Sequence, residues 1–177
     1  MSLLPSLVKA LPAEPVDSSL YETALTHASW SNENGGPCNE RMEFLGDALV
    51  GAVVARYVFA ALPDAHEGSL SKWKASLVSG ECLGKAGLNL GLGGMMKLGK
   101  GEENPGGTRK ATILAGAFEA LVAAVFMDHG YEAARSFVTE QLREPLANVL
   151  PSVTPHMDAK SELQELLVAA GRAAPIY

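Results

Sequence analysis

Glu40, Glu43 and Asp47 lie close together in the run Asn39-Glu40-Arg41-Met42-Glu43-Phe44-Leu45-Gly46-Asp47. On a helix their spacing is i, i+3 and i+7, which puts all three carboxylates on one face. Their neighbours Met42, Leu45, Leu49 and Val50 are apolar. Acids stacked against such a background repel one another and desolvate badly unless a positive charge sits among them. Divalent magnesium or manganese suits the part, because hard cations prefer carboxylate oxygens. A second candidate is Glu119, alone in Leu114-Ala115-Gly116-Ala117-Phe118-Glu119-Ala120-Leu121-Val122. If its helix packs on the first, the cluster gains a fourth acid, and metal-assisted phosphodiester hydrolysis becomes the matching chemistry. The competing account is a solvated acidic face with a salt bridge to Arg41, Lys72, Lys74 or Arg109. Pattern alone leaves both open.

The elements that must carry these residues read as helices. Capping-type residues open a segment from Ser18 to about Trp30, with Leu20, Ala24, Leu25 and Ala28 at helical spacing. A polar turn from Ser31 to Pro37 leads to a long helix from about Asn39 to Leu62, stopped by Pro63. Met42, Leu45, Leu49, Val53 and Tyr57 are its expected inward face. Glu67 to Leu90 reads as a third helical region. The glycine-rich stretch that follows, through Asn104-Pro105-Gly106-Gly107, reads as a loop with little structure of its own. A very apolar helix is expected from about Thr108 to Asp128, and another from Tyr131 to Leu150. No alternation typical of a half-buried strand appears in the first 150 positions, so the fold class expected is all-α.

The 177 residues are 47% hydrophobic and 19% charged, enough for one sizeable packed domain and a fragment of a second. The net charge of −6 argues against a nucleic-acid binder, although a local basic stripe outweighs the total. Cys38 and Cys82 form no zinc-like spacing or disulfide framework, which fits a reducing cytoplasm. The proline-interrupted N-terminus is no signal peptide, and no apolar stretch reads as a clean membrane span, so a soluble protein without a membrane partner is expected. Gly91-Leu92-Gly93-Gly94 lacks the Lys-Ser/Thr of a P-loop, which rejects a nucleotide cofactor. For His27 a metal or catalytic role competes with that of a hydrogen-bonded structural histidine, which the Leu-Thr-His-Ala-Ser setting favours, and His66, His129 and His156 read as surface or turn residues. Trp73 reads as core or interface. Lys72, Lys74, Lys97, Lys100, Arg109 and Lys110 are the phosphate-contact candidates.

The run from Asn39 to Val50 resembles the ribonuclease III signature. Further matches follow in order: Leu25-Thr26-His27-Ala28-Ser29, Glu67-Gly68-Ser69-Leu70-Ser71, Ala75-Ser76-Leu77-Val78, Gly106-Gly107-Thr108-Arg109-Lys110 and Ile113-Leu114-Ala115-Gly116-Ala117-Phe118-Glu119-Ala120. The resemblance implies an all-helical domain that pairs as a homodimer around a valley for double-stranded RNA. It implies magnesium, with manganese as a substitute, and cleavage leaving 5′ phosphates and 3′ overhangs in ribosomal-precursor and structured-RNA processing. By position Glu43 and Glu119 match metal ligands and Asp47 the essential aspartate. Glu40 and Glu67 match acids near the cleft and the dimer junction, and Phe44 an aromatic that packs into the partner. Read without the family, Phe44 would be a core residue.

The departure is Gly116, where the family carries a metal-binding aspartate three positions before Glu119. Glycine offers no side-chain oxygen, so weakened metal binding and activity are expected. The alternative is a catalytically inactive RNA-binding or ribosome-associated relative. The acids that remain favour the enzyme. The expected division is a catalytic domain over 1–150, a linker over 151–157, and over 158–177 a segment similar to the opening of a double-stranded-RNA-binding domain, incomplete here.

Overall fold

A computed structural model describes residues 5–102 and 110–149, with Leu167 alone beyond them. The expected linker, the 158–177 segment apart from Leu167, His156 and Arg109 lie outside the described residues.

The described elements are helices: α1 (Pro5–Ala10), α2 (Ser18–Ala24), α3 (Ala28–Asn34), α4 (Glu40–Ala61), α5 (Glu67–Leu77), α6 (Gly80–Asn89), α7 (Ala111–His129), α8 (Tyr131–Gln141) and α9 (Arg143–Ala147), with a 3₁₀ turn at Leu92–Gly94. No strand occurs among the described residues, in keeping with the all-α expectation. A single parallel bridge joins Thr26 to Lys97.

α7 is the central helix, packed against α4, α6, α8 and α2. Every residue from Ile113 to Val125 is buried except Glu119, which is half-buried. Its alanines and Gly116 keep that surface low, so neighbouring backbones approach closely. α4 meets it through Gly46, where an added Cβ would fall 1.9 Å from the Glu119 carbonyl oxygen. α6 meets it through Gly84 and Gly87, whose added Cβ atoms would fall 2.7 and 2.6 Å from the Ala111 and Leu114 carbonyl oxygens. Phe118 and Phe137 stack behind it, with centroids 6.0 Å apart.

Several expectations need correction. The Ser18–Trp30 helix is two helices, because His27 takes extended backbone and caps α3, its Nδ1 accepting from the Ser29 N–H. The Glu67–Leu90 region also divides, at Ser79, whose hydroxyl caps α6 by accepting from the Cys82 N–H. The last helix, expected from Tyr131 to Leu150, breaks at Leu142 into α8 and α9. The described part of the glycine-rich stretch, up to Glu102, is more ordered than a plain loop: Gly87 belongs to α6, and Leu92, Met95 and Leu98 are buried. On α4 the buried residues are Met42, Gly46, Val50, Val53, Val54 and Val58; of the expected face, Met42 and Val53 are among them, while Leu45, Leu49 and Tyr57 are half-buried at its margin. α4 and α7 are both long and apolar enough to cross a membrane by length and composition, contrary to the sequence reading. α7 spends that apolarity on the core, and α4 opens with three carboxylates.

Candidate acidic cleft

Two backbone ties build the site before any side chain is considered. The His27 N–H donates to the Lys97 carbonyl (3.0 Å) and the Lys97 N–H to the Leu25 carbonyl (2.8 Å), pinning the α2–α3 hinge. The Asn39 N–H then donates to the Thr26 carbonyl at 2.8 Å, which fixes the start of α4 beside that hinge. The glycine contact at Gly46 sets the first turns of α4 against the middle of α7. The outcome is a cleft of about 560 Å³ lined by His27, Ala28, Asn39, Glu40, Glu43, Phe44, Asp47 and Glu119.

Glu40, Glu43, Asp47 and Glu119 are thus brought together from two helices, as the spacing suggested. Glu67 is not in this lining. It opens α5, where the Ser71 hydroxyl donates to it at 2.6 Å. Burial, then the nearby charges of Asp47 and Glu43, pushes the Glu119 carboxyl up to about 7. Glu43 is raised too, by burial and by Glu40 and Asp47, with His27 pulling it partly back. Among the described residues none of these acids pairs with a basic side chain, so the salt-bridged account of the cluster finds no support.

Gly116 adjoins the cluster directly. A Cβ there would meet Glu43 Oε2 at 2.6 Å and its Cδ at 2.8 Å, so the Glu43 carboxylate lies back over the glycine. Among the described residues no three His, Cys, Asp or Glu side chains form a ready-made cage for an ion. The donor set still suits a hard cation: four carboxylates share one cleft, with Glu43 and Glu119 half-buried and Glu40 and Asp47 exposed.

One polar cleft residue escaped the sequence reading. Asn39 precedes Glu43 and Asp47 by four and eight positions, so the same face rule would have reached it. His27 is the structural cap expected of it, yet it also lines the cleft. The Ser29 N–H (3.2 Å) and hydroxyl (2.8 Å) both address His27 Nδ1, while the Gly99 N–H donates to that hydroxyl. Nδ1 accepts from the Ser29 N–H, which fixes the ring at the start of α3.

Elsewhere, Phe44 is 81% exposed at the cleft edge, which overturns its reading as core. Trp73 is buried, as expected. His129 is neither surface nor turn: it ends α7 with its side chain largely covered, 3.1 Å from Asp128. Of the basic candidates, Lys74 and Lys100 are exposed, Lys72 and Lys97 half-buried, and Lys110 is paired with Glu102 at 2.7 Å. Lys97 also lies over the Trp30 ring. Cys38 and Cys82 are free thiols. A larger groove of about 610 Å³ runs between α5–α6 and α8–α9, but it gathers no comparable set of facing acids and unpaired oxygens.

Comparison with known proteins agrees with this geometry. Residues 17–146 match the family described as ribonuclease-III-like. Ribonuclease 3 of Mycolicibacterium smegmatis is 44% identical over 180 residues, covering 99% of this chain and 76% of that protein. Ribonuclease 3 of Streptomyces coelicolor is 42% identical over 92% of this chain, which spans 59% of its length. The nuclease domain of ribonuclease III from Campylobacter jejuni, in a structure concerned with flexibility in a region involved in dimer formation, aligns with a TM-score of 0.75. It is 35% identical and covers 81% of this chain and 98% of that one. With its family match, its helical fold and the acidic cleft between α4 and α7 all in agreement, this chain belongs to the ribonuclease III family.

Proposed function

We propose that the chain is a magnesium-dependent endonuclease for double-stranded RNA, acting as a homodimer, with a metal site weakened by Gly116. The observation that carries this reading is Glu119. It is the one polar interruption of a buried helix surface, held against Glu43 and Asp47 with no basic partner among the described residues. Glu43, Asp47 and Glu119 would hold the ion, with Glu40 in the same cleft. When bound, a magnesium ion supplies a Lewis acid for the phosphate and lowers the pKa of water at the site. The chain's own residues hold the acids in register through Gly46, and His27 lines the same cleft. Phe44, exposed at the cleft edge, is the proposed contact with the partner, which would align two clefts along one duplex. Lys72, Lys74, Arg109 and Lys110 are the proposed phosphate contacts, the last after release from Glu102. The 158–177 segment would begin an RNA-binding module that reads duplex shape. The products expected are 5′ phosphates with 3′ overhangs, from structured and ribosomal-precursor RNA.

The test is cleavage of a labelled duplex of roughly 30 base pairs, two to three turns of the kind such proteins span. Magnesium and then manganese are supplied, beside the Gly116→Asp variant. Cleavage by the variant well above the parent supports a weakened metal site. Equal cleavage by both removes Gly116 as a lesion. No cleavage by either folded dimer favours a non-enzymatic RNA-binding relative.

A further inference from the structure

Lys74 stands on α5 four positions after Leu70 and three before Leu77, at the edge of the face that α5 turns to the core. Leu77 and the neighbouring Trp73 are buried, whereas Lys74 is exposed. Its stem crosses to α4. Cε and Nζ lie 3.6 and 3.7 Å from the place a Cβ would take on Gly51, an ordinary contact distance, and no other atom of a neighbouring element comes within 4 Å of that place. Gly51 follows Glu40, Glu43 and Asp47 at i+11, i+8 and i+4, so it continues their face one turn, about 6 Å, further along α4. The acidic row therefore ends in a glycine with an ammonium laid over it. Among the described residues that ammonium makes no ion pair or hydrogen bond. Lys110, Arg135 and Arg143, by contrast, are each bound to a glutamate, and Lys97 lies over Trp30.

A lysine is a compact charge on a flexible stem, and such stems run along a neighbour while the head stays in water. Gly51 adds a fixed place for it, since a side chain larger than a methyl would fill the path that the stem takes. Acids and ammonium in one row cannot serve the same group. The acids suit a cation, and the ammonium suits an anion that the bare acids would repel. A ligand that answers both carries one anionic group for the cation and a second anion a step further on. A nucleic-acid strand, with phosphates repeated along its backbone, has that form. We infer that Lys74, seated on Gly51, holds the RNA phosphate next to the one addressed by the acidic cleft, and so is a positioning residue that sets which phosphate is presented there. The inference rests on the reading of the cleft as a metal-dependent ribonuclease site. Phosphate contacts fix the register of a protein on a duplex without reading its sequence, and a contact this close to the acids would fix the site of cutting.

The experiment measures binding of the full chain to a labelled duplex of roughly 30 base pairs, in calcium and over a range of salt. The duplex is either all-phosphate or carries one uncharged methylphosphonate at successive positions. The parent, Lys74→Met, Lys74→Arg, Gly51→Ala and Gly51→Leu are compared, with thermal melts as the check on folding. Lys74→Met is expected to melt like the parent and to bind with a salt dependence shallower by about one counter-ion per subunit. In the parent one methylphosphonate position is expected to weaken binding in a way that Lys74→Met no longer feels. That position should lie beside the cut, mapped in manganese on the parent or on Gly116→Asp. Lys74→Arg should restore the salt dependence, and Gly51→Ala, whose methyl fits at ordinary contact distance, should behave as the parent. Gly51→Leu should keep the salt dependence, because the charge remains, and lose the position-specific effect, because the stem has no seat. The Lys74 variants decide the question if Gly51→Leu fails to fold. An unchanged salt dependence in Lys74→Met overturns the inference, as does a loss spread evenly over all methylphosphonate positions or a sensitive phosphate remote from the cut. In each of these the ribonuclease reading survives. A parent that binds no duplex, or no cut by either protein, removes that reading and the inference with it.

Discussion

Glu119 and Asp128 stand nine positions apart on α7, and the protein treats their carboxylates in opposite ways. Burial pushes both up. At Asp128 the push is overcome: the Val16 and Asp17 N–H groups donate at 2.9 and 3.0 Å, the Tyr21 hydroxyl donates at 3.1 Å, and His129 lies beside it. Its carboxyl is held below the usual range, while the Tyr21 hydroxyl is pushed well up by its own burial and then by Asp128. At Glu119 no donors among the described residues answer the burial, and Asp47 and Glu43 add repulsion, so the carboxyl rises to about 7. One end of the helix is a finished latch that ties the N-terminal segment to the core. The middle is a cluster of carboxylates that no donor or cation among the described residues answers.

The largest effect is expected where the cluster is forced together. Gly46→Ala puts a methyl 1.9 Å from the Glu119 carbonyl oxygen and 2.4 Å from its carbon, both backbone atoms that no rotamer can move. Relief requires separating α4 from α7, so the loss is expected at or beyond the upper end of the 1–3 kcal/mol typical of overpacking, about 3 kcal/mol. Urea unfolding measures it. A loss under about 1 kcal/mol would mean that the two helices are not in this close register.

Asp128→Asn tests the latch. The amide keeps one acceptor but turns an NH₂ toward groups that donate, leaving at least one donor unpaired at a cost of about 1–3 kcal/mol. The acid limb provides a second readout. Asp128 is held below its unfolded value of 3.8, so its contribution is present above that pH and is lost as pH falls through the folded value. The variant should therefore lose less stability than the parent on acidification. An acid limb with the same slope in both proteins would remove Asp128 from the account.

Glu119→Gln tests the other carboxylate, and its sign is reversed. The folded value of about 7 lies above the ordinary 4.5, so the stabilising contribution is fully present below 4.5 and is lost as pH rises through 7. The metal-free parent should thus lose stability between about pH 5 and 8, and the variant should show a flatter profile. At pH 8 the variant should be the more stable by on the order of 1 kcal/mol, a figure already reduced for solvent screening of a half-exposed group. Parallel profiles would show that burial and repulsion at Glu119 do not bear on folding.

How far the sequence revealed these two regions follows from the range of the interactions involved. The face of Glu40, Glu43 and Asp47 depends on helical period alone, and Glu119 on a lone charge in an apolar run, so both were legible. The missing Cβ of Gly46 matters only because Glu119 of another helix lies against it, and nothing local announces that. The division at Ser79 was within reach, since serine ahead of a helical pattern is a capping signal. The division at His27 was not, because histidine is an unusual cap and the kink is held by Lys97, far along the chain. Phe44 failed as a core residue because period fixes a face but not what covers it. The latch was invisible for the same reason: Asp128 read as the end of a helix, and its donors come from more than 100 positions away.

The smallest expected effect concerns Gly116, at the meeting of the two themes. In Gly116→Ala the new methyl would approach Glu43 Oε2 at 2.6 Å and Oε1 at 3.2 Å, atoms at the far end of a flexible side chain. The carboxylate can swing out into the cleft, at the cost of moving nearer to Asp47 and Glu119. Against this, alanine is favoured over glycine in a helix interior by about 0.5–1 kcal/mol. The net change at pH 5, where Glu119 is protonated, is expected to be a gain of no more than about 0.5–1 kcal/mol. The gain should shrink above pH 7, as Glu119 ionises and resists the displaced Glu43. Melting curves at the two pH values read both the sign and the coupling. A loss exceeding about 1 kcal/mol at pH 5 would show that the Glu43 carboxylate is fixed in its seat over Gly116, making the glycine part of a fitted site and no longer just the place where a ligand is missing.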